Sequence, residues 1–184
     1  MELEIESYLG KVKAYLFATM VSFAGKCGLD ESEGPDTLIF AVPAPNAIDG
    51  YIEAKVRILD YGMDLIWSYS KPLLNGKAGG VDIEKYRVAA DLSVEYNGFS
   101  DYSDNISQHT MCINREGDIF WHTLYPRIIY YPWTEEGTLP VLQDIFYTQP
   151  QRLERMCYPI VSALMGKIAV ADAIDEMRRI REEV

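Results

Sequence analysis

Two histidines and a cysteine are the first residues of this chain to consider for chemistry. His109 and His122 fall on the two arms of a predicted hairpin, and Cys112 lies near the first of them. A two- or four-residue turn pairs position 109 with 124, which places both imidazoles on one face of the hairpin. Side-chain alternation then sends Cys112 to the opposite face. Because zinc needs at least three protein ligands and no second Cys/His pair is close in sequence, we predict no metal site.

The sequence also gives little sign of a nucleophile or a phosphate loop. It has no Gly-x-Ser-x-Gly elbow, and Ser-x-x-Lys occurs only at Ser68–Lys71, at a predicted strand end. Cys112 falls in a strand and Cys157 in a proline-interrupted helix, and neither is at a helix N-terminus that would lower the pKa of a thiol. The glycines of 76–80 are not followed by Lys-Ser/Thr. We therefore predict no catalytic and no cofactor-binding residues, and a protein that is not an enzyme.

Aromatic residues are the one compositional excess. Tyrosine alone occurs 13 times, and the segment 124–133 combines aromatic side chains with two prolines. Tyrosine and tryptophan offer a large rigid contact area with a polar group, as protein interfaces require. The alternative is that these rings cover the sheet as part of the core. We predict a partner-binding surface that includes Tyr15, Phe17, Tyr125, Tyr130, Tyr131 and Trp133.

Charge and hydropathy restrict the partners further. The 184-residue chain carries 28 acidic and 17 basic residues, a formal net charge of −11, which repels a phosphate backbone and an anionic lipid surface. No run of about 18 apolar residues indicates a membrane span. The acidic start differs from the basic start of a secretory signal, and three distant cysteines suit a reducing compartment. We expect a cytoplasmic protein that binds neither nucleic acid nor membrane.

Hydrophobic periodicity predicts one α+β domain over residues 1–184. Apolar residues at intervals of three and four predict an N-terminal helix within 1–27. Strand-like runs follow at 37–42, 51–59 and 63–70, then a helix within 82–97, a two-stranded hairpin at 109–114 and 119–125, and helices over 138–184. Short connections between successive strands favour one antiparallel sheet with helices packed on it, and the sheet region spans 37–125.

This order of elements resembles the fold shared by type III secretion chaperones and YbjN-type proteins. The local likeness lies in Ala89–Pro126, where a helix runs into Tyr96-Asn97-Gly98-Phe99 and a polar stretch leads to a hairpin with the turn Arg115-Glu116-Gly117-Asp118. YbjN-like sequences carry a similar asparagine at the helix end and a strand–acidic turn–strand unit. The chain differs from them by a long insertion at 126–138 and extra C-terminal helices.

The resemblance implies a non-enzymatic role. Secretion chaperones are small, acidic, usually dimeric proteins that hold an extended partner segment against the sheet and first helix, and YbjN-type proteins are associated with regulation. We therefore expect a regulatory, chaperone-like protein-binding domain that forms a homodimer. Two alternatives remain: a small-molecule-binding or hydrolytic domain with a carboxylate-lined pocket, and an interaction subunit of a defence or immunity system. A deep cavity with a carboxylate beside a histidine would favour the hydrolytic or ligand-binding alternative.

Overall fold

The computed structural model describes residues 2–23, 26–29, 34, 37–69, 71–76, 80–98, 108–127 and 135–183. These residues form an α+β fold, as the sequence predicts. The elements in chain order are α1 (Glu2–Phe23), β1 (Lys26–Leu29), β2 (Thr37–Pro43), β3 (Tyr51–Leu59), β4 (Gly62–Tyr69), α2 (Ile83–Gly98), β5 (Gln108–Ile113), β6 (Ile119–Pro126), α3 (Glu135–Gln143), a π-helical turn (Asp144–Thr148), α4 (Gln149–Leu164) and α5 (Val170–Glu183).

The described strands form one antiparallel six-stranded sheet in the order β1-β2-β3-β4-β6-β5. The short strand β1 is a difference from the sequence-based expectation, which extended the first helix to Cys27. The helix ends at Phe23 and the chain pairs with β2 from Lys26 onward. A four-residue strand that itself contains Gly28 is too short for hydrophobic alternation to distinguish it from a helix end.

One face of the sheet forms the core with the helices. Alternate residues along β3 and β4 are buried on this inner face, and Trp67 of β4 lies directly opposite Trp121 of β6. Two contacts fix the C-terminal helices to it: the hydroxyl of Tyr69 donates to the carbonyl oxygen of Leu153, 2.7 Å away, and the rings of Phe40 and Phe146 lie 5.3 Å apart. From α1, three fully buried residues spaced by four complete the same core: Val12, Leu16 and Met20.

The β5–β6 hairpin has a different register from the one expected. Asn114 and Asp118 close a three-residue loop in which Gly117 adopts a φ of 89°, the left-handed conformation that such loops require. An odd loop shifts the pairing by one residue, so that His109 lies opposite Thr123. The prediction that both histidines share a face is therefore wrong. His109 points to the core, whereas His122 lies on the outer face of the sheet, the same face as the side chain of Cys112.

Helix α2 is held by side-chain hydrogen bonds at both ends. Asp82 caps the start of α2, as predicted, by accepting hydrogen bonds from the main-chain N–H groups of Glu84 and Lys85. At the other end, the amide of Asn97 donates to the carbonyl oxygen of Met111 and accepts from its N–H, at 3.0 and 2.8 Å. This side chain occupies the main-chain groups of β5 that a further strand would use.

Candidate functional site

The outer face of the sheet contains a groove of about 780 Å³ that crosses β1, β2, β3, β4 and β6. Its outward-facing apolar side chains stay exposed or half-buried because they lie opposite the core: Ile39, Ala41, Ile66 and Phe120. Gly28 of β1 lies on one side of the groove, and the turn residues Asn114 and Asp118 lie on the side toward β6. The groove therefore offers a broad surface of mixed polarity.

The charged residues of the groove are two acids and one base. Glu53, Lys55 and Asp118 line it, together with Ser68. Two carboxylates and one ammonium give this lining a formal charge of −1. Its apolar and acidic character suits a ligand that combines apolar groups with positive charge.

An ionic cluster borders the groove on the outer face, where His122 lies directly opposite the groove residue Ile66. Asp64 is buried, and its carboxylate contacts the guanidinium of Arg57 and the Nε2 atom of His122. Ser68 and His122 are diagonal neighbours on adjacent strands, an arrangement in which a serine–histidine pair could form. The imidazole Nε2 is instead directed to Asp64, and no hydrogen bond between Ser68 and His122 is present. These two described residues therefore do not form a nucleophile–base pair.

A second cluster lies inside the core, around His109. Its Nδ1 lies 2.7 Å from the hydroxyl of Thr123, and its Nε2 lies 2.8 Å from the amide nitrogen of Gln149. The same amide nitrogen donates to Asp144 Oδ1 at 2.9 Å, and the hydroxyl of Tyr125 donates to Asp144 Oδ2 at 2.7 Å. An amide nitrogen has only hydrogens to offer, so the Nε2 of His109 must be the unprotonated acceptor.

The surroundings of His109 favour its neutral form. The pKa of His109 is lowered from 6.5 to about 4, chiefly by burial and also by the guanidinium groups of Arg152 and Arg181, whereas the carboxylate of Asp144 acts in the opposite direction. The neutral tautomer with hydrogen on Nδ1 fits both hydrogen bonds, because Nδ1–H donates to Thr123 and Nε2 accepts from Gln149. The imidazole therefore connects β5 and β6 to α4 without charge at neutral pH.

A local irregularity of the helix positions Asp144 in this cluster. Pro150 has no N–H to donate to the preceding turn, and its ring crowds the carbonyl group four residues back. The chain forms the π-helical turn at this point, and Asp144 begins it. The sequence predicts an interruption at Pro150 but gives no sign that Asp144 and Gln149 meet His109, because 35 residues separate His109 from the closer of the two.

Thr138, the expected start of the C-terminal helices, is buried three residues inside α3.

The structure separates the predicted partner-binding residues. Tyr15 and Phe17 of α1 have exposed side chains, at 48% and 40%. Tyr125 is fully buried, so its prediction as a partner contact is wrong: strand alternation turns it to the inner face, where it binds Asp144. The other three predicted contacts, Tyr130, Tyr131 and Trp133, lie outside the described residues.

The described residues offer neither an activated thiol nor a cluster of metal ligands. Burial raises the pKa of both the Cys112 and the Cys157 thiols, which opposes formation of the reactive thiolate. Among the described residues, no group of three or more His, Cys, Asp or Glu side chains is arranged to hold a metal ion. In the same part of the chain, no helix has the length and apolar character needed to cross a membrane.

The chain matches no protein-family model, no curated protein and no solved structure.

Proposed function

We propose that this protein is a non-enzymatic, cytoplasmic binding domain that holds an extended segment of a protein partner in the groove of its sheet. The observation that carries the proposal is a set of accessible apolar side chains on the outer face. Ile39 of β2 and Ile66 of β4 lie on either side of Lys55, and Phe120 of β6 lies diagonal to Ile66. Accessible apolar surface on a folded protein is typical of an interaction site. The resemblance to secretion chaperones and YbjN-type proteins supports the same role.

The dimensions of the groove suit an extended peptide. From β1 to β6 the groove crosses four strand spacings of about 4.8 Å each, a distance of about 19 Å. An extended chain advances about 3.3 Å per residue, so a segment of about six residues spans the groove. Alternate side chains of such a segment would face the sheet and contact Ile39, Ile66 and Phe120 in turn.

Charge defines the partner further. Glu53 and Asp118 outnumber Lys55 in the groove, and the whole chain has a net charge of −11. A segment that alternates apolar and basic side chains would match both the apolar side chains and the acidic groups of the groove. The electrostatic field of the negatively charged protein would also accelerate its association. We therefore propose a partner segment that is apolar and cationic.

The first helix supplies a second contact surface in this proposal. Phe17 and Tyr15 flank the buried stripe of α1 and have exposed rings, so a second copy of the chain could cover them. A homodimer through α1 leaves the groove of each copy open. In this arrangement α1 contacts the second copy of the chain, and the groove contacts the partner segment.

A small molecule in the same groove is the second candidate. A volume of about 780 Å³ lies within the range typical of small-molecule sites, and Glu53 and Asp118 provide a partly carboxylate lining. The described groove residues include no histidine, so the carboxylate–histidine arrangement expected of a hydrolytic pocket does not occur there.

The test is selection of binders from a random peptide library, followed by calorimetric titration of the selected peptides. We expect selected sequences to be apolar and basic, and Ile39→Asp to weaken their binding at least tenfold, because a charge would replace a buried apolar contact. Val94→Asp is the control, since Val94 is an exposed aliphatic residue of α2 that lies beside residues of α5 and does not line the groove. Equal binding by both variants would contradict the proposal.

A further inference from the structure

Two arginine side chains each have one buried guanidinium nitrogen without a hydrogen-bond partner. Arg152 of α4 is 92% buried, since only 8% of its surface is exposed, and its Nε atom has no hydrogen-bond partner. The Nη1 atom of Arg181 on α5 is also buried without a partner. Neither guanidinium forms an ion pair with a described carboxylate. Buried guanidinium groups are almost always paired, so this arrangement needs an explanation.

The two guanidinium groups lie beside the same residues. The guanidinium carbon of Arg181 is 5.6 Å from the ring centroid of Tyr96. Both arginines act on the pKa of Tyr96 and on that of His109, so both positive charges are close to these two side chains. Arg152 and Arg181 therefore converge on one interior region between α2, α4, α5 and β5.

The neighbouring carboxylate balances only one of the two positive charges in this region. Asp144 is the acidic residue that acts on both His109 and Tyr96, but its two oxygens accept hydrogen bonds from Gln149 and Tyr125. With His109 neutral, the two guanidinium groups and this carboxylate leave a formal charge of +1 among the described residues of the region. This positive charge lies partly in the interior of a protein whose total charge is −11.

We propose that Arg152 and Arg181 form a binding site for an oxyanion, the phosphate or carboxylate group of a small molecule. A guanidinium presents a planar set of N–H donors that matches the oxygens of either group. An oxyanion between the two would accept the hydrogens that have no acceptor and balance the positive charge. The partly exposed side chains of Arg181 and Asp144 connect the region to solvent. This site is separate from the groove on the other face of the sheet.

The experiment measures thermal unfolding of the full chain with inorganic phosphate in one arm and succinate in the other, at constant ionic strength set with chloride. Native mass spectrometry of the purified protein detects any anion already bound. We expect saturable stabilisation by one of the anions, of roughly 5 to 10 °C at 100-fold excess over its Kd, or a bound anion in the purified protein. Stabilisation by phosphate alone would identify the ligand group as a phosphate, and stabilisation by succinate alone would identify it as a carboxylate.

Variants identify the arginines as the site. Arg152→Met, similar in length but uncharged, should abolish the stabilisation and the bound mass. Arg181→Met should do the same, and it keeps the test decisive if Arg152→Met fails to fold, because Arg181 is only partly buried. Arg155→Met is the control, since Arg155 lies on the same helix but pairs with Glu183 at the surface. Absence of both signals in the wild type, or equal anion effects in wild type and all folded variants, would overturn the proposal.

Discussion

Acidification should destabilise this protein through His109. In the unfolded chain a histidine titrates near 6.5, whereas the pKa of His109 in the folded protein is about 4. Between these values the unfolded state binds the proton and the folded state does not, so stability falls as the pH decreases from above 6.5 toward 4. The full difference corresponds to about 3 kcal/mol, of which about 2 kcal/mol is lost between pH 7.5 and pH 5.

The geometry gives the physical reason for this loss. A proton on Nε2 of His109 would face the amide nitrogen of Gln149, 2.8 Å away, so that two donors would meet without an acceptor. The amide of Gln149 cannot simply rotate, because it also donates to Asp144. Arg152 and Arg181 add repulsion between positive charges.

Urea unfolding of the wild type and His109→Gln at pH 7.5 and pH 5 measures the effect. The wild type should lose about 2 kcal/mol more on acidification than His109→Gln, which has no imidazole to protonate at this position. His122→Gln serves as the control, because it removes the other histidine and should retain the contribution of His109. The reasoning would be refuted if His109→Gln and the wild type lost the same free energy of unfolding on acidification.

Three further predictions concern α1, the sheet and the aromatic segment. At micromolar protein concentration, Phe17→Asp should convert the dimer to a monomer in sedimentation experiments. Tyr158→Asp, at another exposed aromatic position, should leave the dimer intact, and a monomeric wild type would refute the prediction. Gly62→Ala should lower the free energy of unfolding by roughly 1 to 3 kcal/mol, because its Cβ would lie 2.5 Å from a main-chain oxygen of β6. Gly10→Ala, in a helix where nothing obstructs the new Cβ, should raise it by about 0.5 to 1 kcal/mol. Equal effects of the two substitutions in urea unfolding would contradict the packing argument. Trp133→Ala should melt near the wild-type temperature yet weaken peptide or dimer binding by about 2 kcal/mol, and a large drop in melting temperature with intact binding would place the ring in the core.

Hydrophobic periodicity was sufficient to predict most elements of the fold. The alternation of 51–59 predicts β3 with the bounds that the structure has, and Asp82 marks the start of α2. The register of the β5–β6 hairpin could not be predicted in the same way, because a change of one residue in the turn moves every side chain to the other face. Gly117 was the local sequence signal for the three-residue loop, because such a loop places a glycine in the left-handed conformation.

The interior cluster was beyond sequence reasoning for a different reason. His109, Asp144 and Gln149 meet only because the sheet and the π-helical turn bring distant segments together. Arg152 and Arg181 have the spacing of ordinary surface residues of amphipathic helices, and nothing local shows that they turn inward. Pro150 was the one informative residue, since it predicts an irregular helix next to Asp144.

The most direct test of the central claim is mapping of the peptide-binding surface by NMR. Backbone amide signals of the isotope-labelled protein would be followed during titration with a selected apolar, basic peptide. The proposal predicts that the largest shifts occur at groove residues of β2, β3, β4 and β6, including Ile39, Ile66 and Phe120. Shifts confined to the exposed faces of α2 and α5, with the groove signals unchanged at saturation, would contradict it.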